Sequence, residues 1–325
     1  MSDKILFSIG IPAYKSKFLK ECIDSILTQT CEEFELIIIN DFSPDPIDEI
    51  VAAYQDRRIR YFKNQKNIGA EGVVDNWNRC LSLASGDFFV LMGDDDSMQK
   101  NYLEEFQKLI LKYPKLDVYH CRSKYIDEAS VAFGLSQSCP EYETTHNYLW
   151  HCFSSKRDQF VSDFVYRSSV LKEKNGFYKM PLAWTSDFLT AFIMSGDKGI
   201  AYIHLALLNY RFSSYNITAT GSLDLKRQAT ISFENWVRNF LKDLPNNEED
   251  RIIYPLLRQA FNKACREHKR NFIRQNFQVN GISGLMHILT NKRSYQLNLK
   301  DIIDTIAIAL INHLVEQKKT DLNEL

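Results

Sequence analysis

Three consecutive aspartates, Asp94, Asp95 and Asp96, follow the run DFFVLM at 87–92, with only Gly93 between them. Adjacent carboxylates repel one another, and the end of a buried strand offers little solvent to screen that repulsion. A divalent cation would neutralise most of the charge, because carboxylate oxygens are the hard ligands that Mg²⁺ and Mn²⁺ prefer. The alternative is a solvated acidic loop in which one aspartate caps the next helix. At the end of a central strand we expect the metal site, held by Asp94, Asp95 and Asp96.

The segments around these aspartates alternate between two patterns. Short apolar runs such as ILFSIGIP (5–12) and FELIIIND (34–41) predict buried strands. Between them, KFLKECIDSILTQT (17–30) has its apolar residues spaced for one helical face. Over the first 120 residues this alternation predicts an α/β domain with a mainly parallel sheet flanked by helices.

Ligands of open α/β sheets bind beyond the carboxyl ends of the strands. Four predicted strands end in polar or turn-forming residues, namely Pro12-Ala13-Tyr14, Asn40-Asp41, Asn64 to Gly69, and Gly93 to Asp96. Carboxylates dominate this rim. Such a rim fits a nucleotide held through metal-bound phosphates better than it fits a bare anion.

The second part of the chain has a different pattern. The segment SSYNITATGS at 213–222 is rich in turn and hydroxyl residues, and we place a domain boundary there. The expected domains are a catalytic domain at 1–215 and a C-terminal helical region at 216–325. Helical patterns are predicted near 223–242, 250–277 and 300–317.

Composition restricts the class of protein. With 45% hydrophobic and 25% charged residues, the 325-residue chain has the composition of a soluble globular protein. A formal net charge of −1 gives no whole-protein electrostatic basis for binding nucleic acid. The seven cysteines include no CxxC pair, which argues against a zinc knuckle and fits a reducing compartment. Without a signal-peptide pattern or an apolar run long enough to span a membrane, we expect a cytoplasmic protein.

Several segments, taken in order, resemble glycosyltransferase family 2, whose members have the Rossmann-like GT-A fold. SIGIPAYK (8–15) is similar to the family's first strand and P-x-Y segment, and IIINDFSPD (37–45) to its second strand. KNIGA (66–70) is similar to the N-x-G loop, and NRCLSLASGDFFVLMGDDD (78–96) to the helix, strand and metal motif. Later segments keep the family's order, namely VYRSSVLKEKNGFY, WTSDFLTAFI and YIHLALLNYRFSSYNIT. The resemblance covers about residues 4–220.

The resemblance implies a nucleotide-sugar site at the strand ends. Ala13 and Tyr14, with Pro12 shaping the turn, would line the base and ribose. Asp41 would accept a hydrogen bond from a ring N–H of the base, although a simple turn role is the alternative. The loop of Asn67 and Gly69 would shape the nucleotide side of the site. The complete expected set is Pro12, Ala13, Tyr14, Asp41, Asn67, Gly69, Asp94 and Asp95.

The resemblance also implies that Asp187 is the catalytic base. In inverting members, an aspartate at this place removes the proton from the acceptor hydroxyl, whose oxygen attacks the anomeric carbon. A local interpretation is that Ser186 caps the following helix and Asp187 stabilises its first turn, and both roles can hold together. Trp184 would stack on the acceptor sugar or fill the core.

The metal motif departs from the family's usual D-x-D-D, because Gly93 stands where the first aspartate falls. Either Asp94 and Asp96 form the working pair, or Asp95 and Asp96 do while Gly93 lets the donor approach closely. The sequence leaves both open.

Two further departures lie near the expected base and near the end of the domain. Ser186 stands where a glutamate is commoner. Tyr210-Arg211 is followed by Phe212-Ser213, where many members have a histidine that sometimes binds the metal. His204 lies nearby, and within a strand we interpret it as a core histidine.

The predicted helix at 256–277 carries six basic residues and one acid, Glu267, with apolar residues between them. Basic amphipathic helices can lie on anionic membranes. Peripheral contact with the inner face of the cell membrane is therefore one expectation, since enzymes of this family often extend polyprenyl-linked glycans. The alternative is a helix packed on its own domain. The apolar segment 302–315 would be core or a homodimer contact.

The function expected from these features is inverting transfer of one sugar from a nucleotide-diphosphate sugar to a hydroxyl of a glycan or polyprenyl-linked acceptor. Mn²⁺ or Mg²⁺ would be the cofactor, and surface polysaccharide synthesis the setting. A sugar nucleotidyltransferase would need a glycine-rich loop after the first strand, and AYKSKF (13–18) has no glycine. An inactive GT-A-like binding subunit would have no need of both the aspartate cluster and Asp187.

Overall fold

The computed structural model describes residues 5–213 and 221–307. The predicted domain boundary at 215/216 therefore lies outside the described residues, as does the apolar segment from 308 onward. The strands are β1 (Phe7–Ala13), β2 (Phe34–Asn40), β3 (Ile59–Lys63), β4 (Phe88–Leu91), β5 (Ser97–Met98), β6 (Val118–Ile126), β7 (Ala132–Leu135), β8 (Tyr142–Glu143), β9 (Phe164–Arg167) and β10 (Ile200–Arg211). The α-helices are α1 (Leu19–Leu27), α2 (Ile47–Ala52), α3 (Val73–Leu83), α4 (Tyr102–Lys112), α5 (Thr145–Phe153), α6 (Ser168–Glu173), α7 (Ser186–Ser195), α8 (Leu223–Phe240) and α9 (Glu248–Thr290), followed by a helix at 299–307.

The strands form one mixed sheet in the order β3-β2-β1-β4-β9-β6-β10-β5, with β7 beside β6 and β8 beside β10. The first four strands in this order are parallel, because helical crossovers connect them. In the second half, β9 runs antiparallel to β4 and β6, whereas β10 runs parallel to β6. The predicted α/β class is confirmed, and its parallel arrangement belongs to the half of the sheet that carries all four strand-end segments.

Helices cover both faces of the parallel half, as the unbroken apolar run of β2 predicted. Leu36 and Ile38 pack in a cluster with residues of α1, α2 and α4. Ile37 and Ile39 face the other way and pack with α3, including Trp77. Because these four residues of β2 are fully buried, the strand end at Asn40 has a fixed position.

The C-terminal helices α8 and α9 pack against α5 and α7. Phe233 of α8 and Phe261 of α9 share a buried cluster with Leu149 of α5 and Phe192 of α7. The helical content of this region agrees with the prediction, although α9 continues to Thr290 through a break at Gly281, where φ is +57°. These contacts place α8 and α9 beside the residues that precede α7.

The basic segment 256–277 lies within α9, and its apolar side packs on the protein itself. Leu257, Phe261, Cys265 and Phe272 are buried, whereas Arg258, Lys263, Arg266 and Arg270 are exposed. The apolar face is therefore used in packing, as the alternative interpretation expected. Among the helices of the described ranges, none combines the length and the apolar character needed to cross a bilayer.

Candidate active site

Asp94 joins the acidic loop after β4 to the end of β1. Its Oδ2 accepts hydrogen bonds from the backbone N–H groups of Tyr14 and Lys15, at 2.8 and 2.7 Å. The side chain is buried, and burial followed by repulsion from Asp95 raises its pKa to about 6. Asp94 therefore fixes the segment that was expected to line the nucleotide.

Asp96 is held from the opposite side by elements much later in the chain. Its Oδ2 accepts a hydrogen bond from Ser162 Oγ at 2.7 Å, and its Oδ1 accepts one from the backbone N–H of Arg211 at 3.0 Å. Burial, followed by repulsion from Asp95, raises the pKa of Asp96 to about 7. Both oxygens of this carboxylate thus contact protein donors.

Asp95 differs from its two neighbours because 14% of its side chain is exposed and its Oδ2 lies 3.4 Å from Lys15 Nζ. Gly93 leaves room beside it, since a Cβ at that position would lie 3.2 Å from Asp95 Oδ1 and 3.0 Å from Asp96 Oδ2. The unusual glycine of the motif therefore keeps space next to two carboxylates. Of the three expected metal ligands, Asp95 is the one presented towards solvent.

The donor set suits a metal that shares its coordination with substrate. Within 5–213 and 221–307, no group of three or more His, Cys, Asp or Glu side chains is arranged to surround an ion. Mg²⁺ does not need such a cage, because it is usually held by one or two carboxylates, by water and by substrate phosphates. The hard oxygens of Asp95, with Asp96 beside it, fit that kind of binding.

Arg211 supports the acidic loop from behind, a role that was not predicted. It is fully buried, and its Nε donates to the carbonyl oxygen of Asp95 at 2.8 Å. Its guanidinium also donates to Glu21 Oε2 at 2.8 Å and stacks 4.0 Å from the centroid of the Phe18 ring. Arg211 thereby ties the loop to α1 and to the end of β10. The Tyr-Arg pair was visible in the sequence, but its contacts depend on the pairing of distant strands.

The nucleotide-side residues also come together. Asp41 is 6% exposed, and its carboxylate accepts hydrogen bonds from Asn64 Nδ2 at 2.6 Å, Asn67 Nδ2 at 3.1 Å and the Ile68 N–H at 3.2 Å. Its own N–H donates to the carbonyl oxygen of Ala13 at 2.9 Å. Asp41 thus holds the loop of Asn67 against the end of β1.

Two residues of this region have the conformation or exposure that a binding surface needs. Gly69 has a φ of +69°, which favours glycine and turns the loop after Asn67. Tyr14 follows β1 with 45% of its surface exposed, whereas Pro12 and Ala13 lie within the strand. The ring of Tyr14 is therefore available for stacking, on a backbone that Asp94 fixes.

Asp187 lies at the start of α7 in a cleft of about 570 Å³, which it lines together with Trp184, Thr185, Phe160 and Tyr210. Burial raises the pKa of Asp187 to about 6. A carboxylate with such a pKa is mostly ionised at neutral pH and still binds a proton more readily than an ordinary aspartate.

The backbone before Asp187 is strained. Leu182, Ala183 and Thr185 have φ values of 58°, 54° and 67°, a region that non-glycine residues rarely occupy. Within the described residues, the Thr185 Oγ1 is buried without a hydrogen-bond partner. The predicted cap is wrong, because Ser186 Oγ accepts the Met180 N–H at 3.1 Å and does not cap α7. Strain of this kind is typical of functional segments.

Tyr210 connects the two carboxylate sites. Burial raises the pKa of its phenol, and the charges of Asp96, Asp95 and Asp187 raise it further, which puts all three carboxylates within electrostatic range of one side chain. Its ring stacks on Phe160 with 3.7 Å between centroids. Tyr210 lines the cleft of Asp187, and the N–H of the next residue, Arg211, donates to Asp96, so the end of β10 contacts both carboxylate groups. Tyr210 itself was noted only as part of a sequence pair.

His204 is not part of this site. Its side chain is exposed on β10 and lies 3.2 Å from Ser138 Oγ through Nδ1. The interpretation as a core histidine is wrong, because residues 204 and 205 of β10 are both exposed at an irregularity of the strand pairing.

Comparisons of the sequence with known proteins find glycosyltransferases among its relatives. Residues 8–171, about half of the chain, match the model of glycosyl transferase family 2. The chain is 33% identical over 116 residues to the glycosyltransferase GlyA of Streptococcus pneumoniae serotype 4, which covers 35% of this chain and only 16% of GlyA. It is 24% identical over 245 residues to an uncharacterized glycosyltransferase of Rickettsia typhi, which covers 75% of this chain and 74% of that protein.

A solved structure shares the fold. Residues 1–349 of TarS from S. aureus, in complex with UDP-GlcNAc, superpose with a TM-score of 0.64 at 17% identity and cover 93% of this chain and 89% of that chain. This likeness confirms the expected GT-A fold with its helical C-terminal region. The family match covers half of the sequence and the fold agrees with it, so the chain belongs to glycosyl transferase family 2.

Proposed function

We propose that this protein transfers one sugar from a nucleotide-diphosphate sugar to a hydroxyl of a glycan or glycolipid acceptor, with inversion at the anomeric carbon. The observation that carries the proposal is the position of the end of β10, where Tyr210 lines the cleft of Asp187 and the adjacent Arg211 N–H donates to Asp96 of the acidic loop. A donor held at the acidic loop and an acceptor held at Asp187 would then meet in one cleft.

The donor site is the group of strand ends. The exposed ring of Tyr14 offers a surface for the base. The Asp41 carboxylate would accept a ring N–H through a remaining lone pair, beside the hydrogen bonds that it already accepts from the loop of Asn67. TarS, which shares the fold, has been crystallised with UDP-GlcNAc and with UDP. We propose a uridine diphosphate sugar as the first donor to test.

Asp187 is the proposed base. Its carboxylate takes the proton of the acceptor hydroxyl, and the acceptor oxygen forms a bond to the anomeric carbon. The bond from that carbon to the diphosphate oxygen breaks at the same time, and the nucleoside diphosphate leaves with the electron pair. The start of a helix is a rigid mount for this carboxylate, which lines the cleft.

Asp95, with Asp96 beside it, would hold Mn²⁺ or Mg²⁺. When bound, such an ion supplies positive charge that offsets the charge of the leaving diphosphate. Asp94 and Asp96 orient the loop, because each accepts two hydrogen bonds from protein donors. The partial exposure of Asp95, against the buried side chain of Asp94, favours Asp95 with Asp96 over Asp94 with Asp96.

The setting is also a proposal. We assign the protein to surface polysaccharide synthesis at the cytoplasmic face of the membrane. The exposed basic residues of α9, such as Arg258 and Arg266, support reversible attraction to anionic lipid without insertion. Flotation with anionic vesicles at low and high salt tests this part. Binding that is absent at low salt would remove it and leave the transfer reaction unaffected.

The test of function is a donor screen. Thermal stabilisation would be measured with a panel of nucleotide sugars, with and without Mn²⁺. One donor should stabilise the protein in a Mn²⁺-dependent manner. The wild-type protein should then hydrolyse that donor slowly in the absence of acceptor, and the Asp187→Asn variant should not.

A further inference from the structure

A line of aromatic rings leads out of the cleft that contains Asp187. Phe160 and Tyr210 line the cleft and stack with 3.7 Å between their ring centroids. Phe212, which also lines the cleft, meets Tyr210 edge to face at 5.2 Å and meets Phe133 of β7 at 5.4 Å. Phe133 lies beyond the described lining of the cleft. We call this set the aromatic strip, and its members are Phe160, Tyr210, Phe212, Tyr125 and Phe133.

Tyr125 of β6 fixes the outer part of the aromatic strip. Its ring centroid lies 5.8 Å from that of Phe160, 5.3 Å from that of Phe212 and 6.1 Å from that of Phe133. Its hydroxyl donates a hydrogen bond to the Asp158 carboxylate. The polar end of the ring therefore has a partner, and the ring itself joins the rings of the cleft wall to the ring of β7.

The outer rings stay open to solvent in spite of these contacts. Phe133 is 60% exposed and Phe212 is 47% exposed. Exposed apolar surface that adjoins a cleft is typical of ligand-binding grooves. The aromatic strip thus presents apolar surface that begins beside Asp187 and continues to the outside of the molecule.

Polar side chains of the cleft wall accompany the inner end of the strip. Gln159 lines the cleft next to Phe160, and its Oε1 accepts a hydrogen bond from the Tyr148 hydroxyl. Among the residues that the structure describes, the Gln159 Nε2 has no partner, so it can donate to a ligand. Arg157 lines the same wall, but its guanidinium is already paired with Glu143 at 2.7 and 2.9 Å. The available group is therefore the neutral amide.

A sugar ring matches this combination of aromatic faces and an amide donor. The C–H groups on its faces pack on aromatic rings, and the hydroxyls at its edge bind donors and acceptors. A hydrocarbon chain would also bury these rings, but it would leave the amide of Gln159 without a partner, which costs free energy. The strip with its amide therefore favours a glycan over a lipid chain.

We propose that the acceptor is an oligosaccharide, with its reacting unit at Asp187 and the units behind it stacked along the aromatic strip towards Phe133. This inference rests on the proposed transfer function and adds the acceptor class, a chain of sugars in place of a single sugar or the lipid part of a glycolipid. It also gives β7 and the end of β10 a role in the choice of acceptor length.

The experiment uses the full chain loaded with Mn²⁺ and the nucleoside diphosphate of the donor found in the screen. A glycan array would display oligosaccharides in series of increasing length on one linker, and dissociation constants would be measured for each series that binds. Affinity should rise with the number of sugar units. Phe133→Ser should weaken the longer members by about two- to tenfold, as expected for loss of one aromatic partner. Phe133→Tyr keeps the ring and should bind them like the wild type.

Two further variants make the comparison specific. Leu135→Ser is the matched control, because Leu135 is a 48% exposed apolar residue of the same strand outside the aromatic strip, and it should bind like the wild type. Gln159→Glu keeps an acceptor for the Tyr148 hydroxyl and removes the Nε2 donor, so it should weaken the same members as Phe133→Ser.

Methyl and octyl glycosides of one sugar form the arm that tests a lipid chain. An affinity that rises with the alkyl chain and not with the number of sugar units would overturn the inference. Equal affinity for all lengths, unchanged binding in both Phe133→Ser and Gln159→Glu, or no bound glycan while the nucleotide still binds would also overturn it. Failure of the wild type to bind any donor would instead overturn the proposed function.

Discussion

The carboxylate of Asp94 accepts a hydrogen bond from the backbone N–H of Lys15 at 2.7 Å, and this contact joins the loop after β4 to the end of β1. The neighbouring N–H of Tyr14 donates to the same oxygen at 2.8 Å. Two strand ends that are far apart in sequence are thereby held as one surface. The acidic loop thus has a structural function as well as its proposed metal-binding function.

Replacement of Asp94 tests that structural function. Asp94→Ala removes the acceptor of two backbone donors and should lower the free energy of unfolding by about 1–3 kcal/mol, because the donors are left without a partner in a buried place. Asp94→Asn keeps one carbonyl oxygen and should lose less. Urea unfolding at neutral pH measures both variants. Equal stability of Asp94→Ala and the wild type would contradict the anchoring role.

Replacement of Asp95 separates metal binding from loop anchoring. Asp95→Asn should leave thermal stability without metal near that of the wild type, because Asp95 is the most exposed carboxylate of the three. It should greatly reduce the Mn²⁺-dependent part of donor binding, measured by calorimetry with and without Mn²⁺. Asp94→Asn is the control and should keep most of the Mn²⁺ dependence. The reverse pattern would assign the metal to Asp94 with Asp96.

Arg211 is expected to position the loop without touching substrate. Arg211→Met leaves the carbonyl oxygen of Asp95 without its guanidinium donor and should cost about 1–3 kcal/mol of unfolding free energy. Arg211→Lys restores the charge but not the planar fork, so it should recover only part of the loss. Donor affinity in Mn²⁺ should follow the same order. Full donor affinity in a folded Arg211→Met variant would show that the loop does not need this support.

The pH dependence of the reaction follows from the raised pKa of Asp187. The base must be ionised to accept a proton, and burial raises its pKa from 3.8 to about 6. kcat/KM should therefore rise with pH through about 6 and level off above it, as expected for a free-enzyme base. A profile that starts to fall only near pH 4 would mean that an ordinary exposed carboxylate is the base, as the reference value of an aspartate indicates.

The pattern of the sequence predicted the parts of the molecule that depend on local order. The unbroken apolar run of β2 predicted a strand covered on both faces, and the residues after β1, β2, β3 and β4 were expected at one edge of the sheet. Asp41 and Asn67 meet there through hydrogen bonds, as their positions at strand ends allow.

The parts that could not be predicted depend on distant contacts. Ser162 reaches Asp96 because a short helical turn precedes β9, and Arg211 reaches Asp95 because β10 pairs with both β5 and β6. Each of these contacts joins segments separated by more than sixty residues. A periodic pattern of apolar residues carries no information about such distant contacts. The strained backbone at Thr185 is likewise set by packing around it, since threonine has no preference for positive φ.

We propose that one cleft holds the donor at the acidic loop and the base at Asp187. Asp187→Asn keeps the size of the side chain and removes its ability to accept a proton, so the most direct measurement is paired transfer kinetics and donor binding on this variant. Transfer should fall by about 10²-fold or more, while the dissociation constant of the donor in Mn²⁺ stays within about twofold of the wild type. Turnover like that of the wild type would contradict the account.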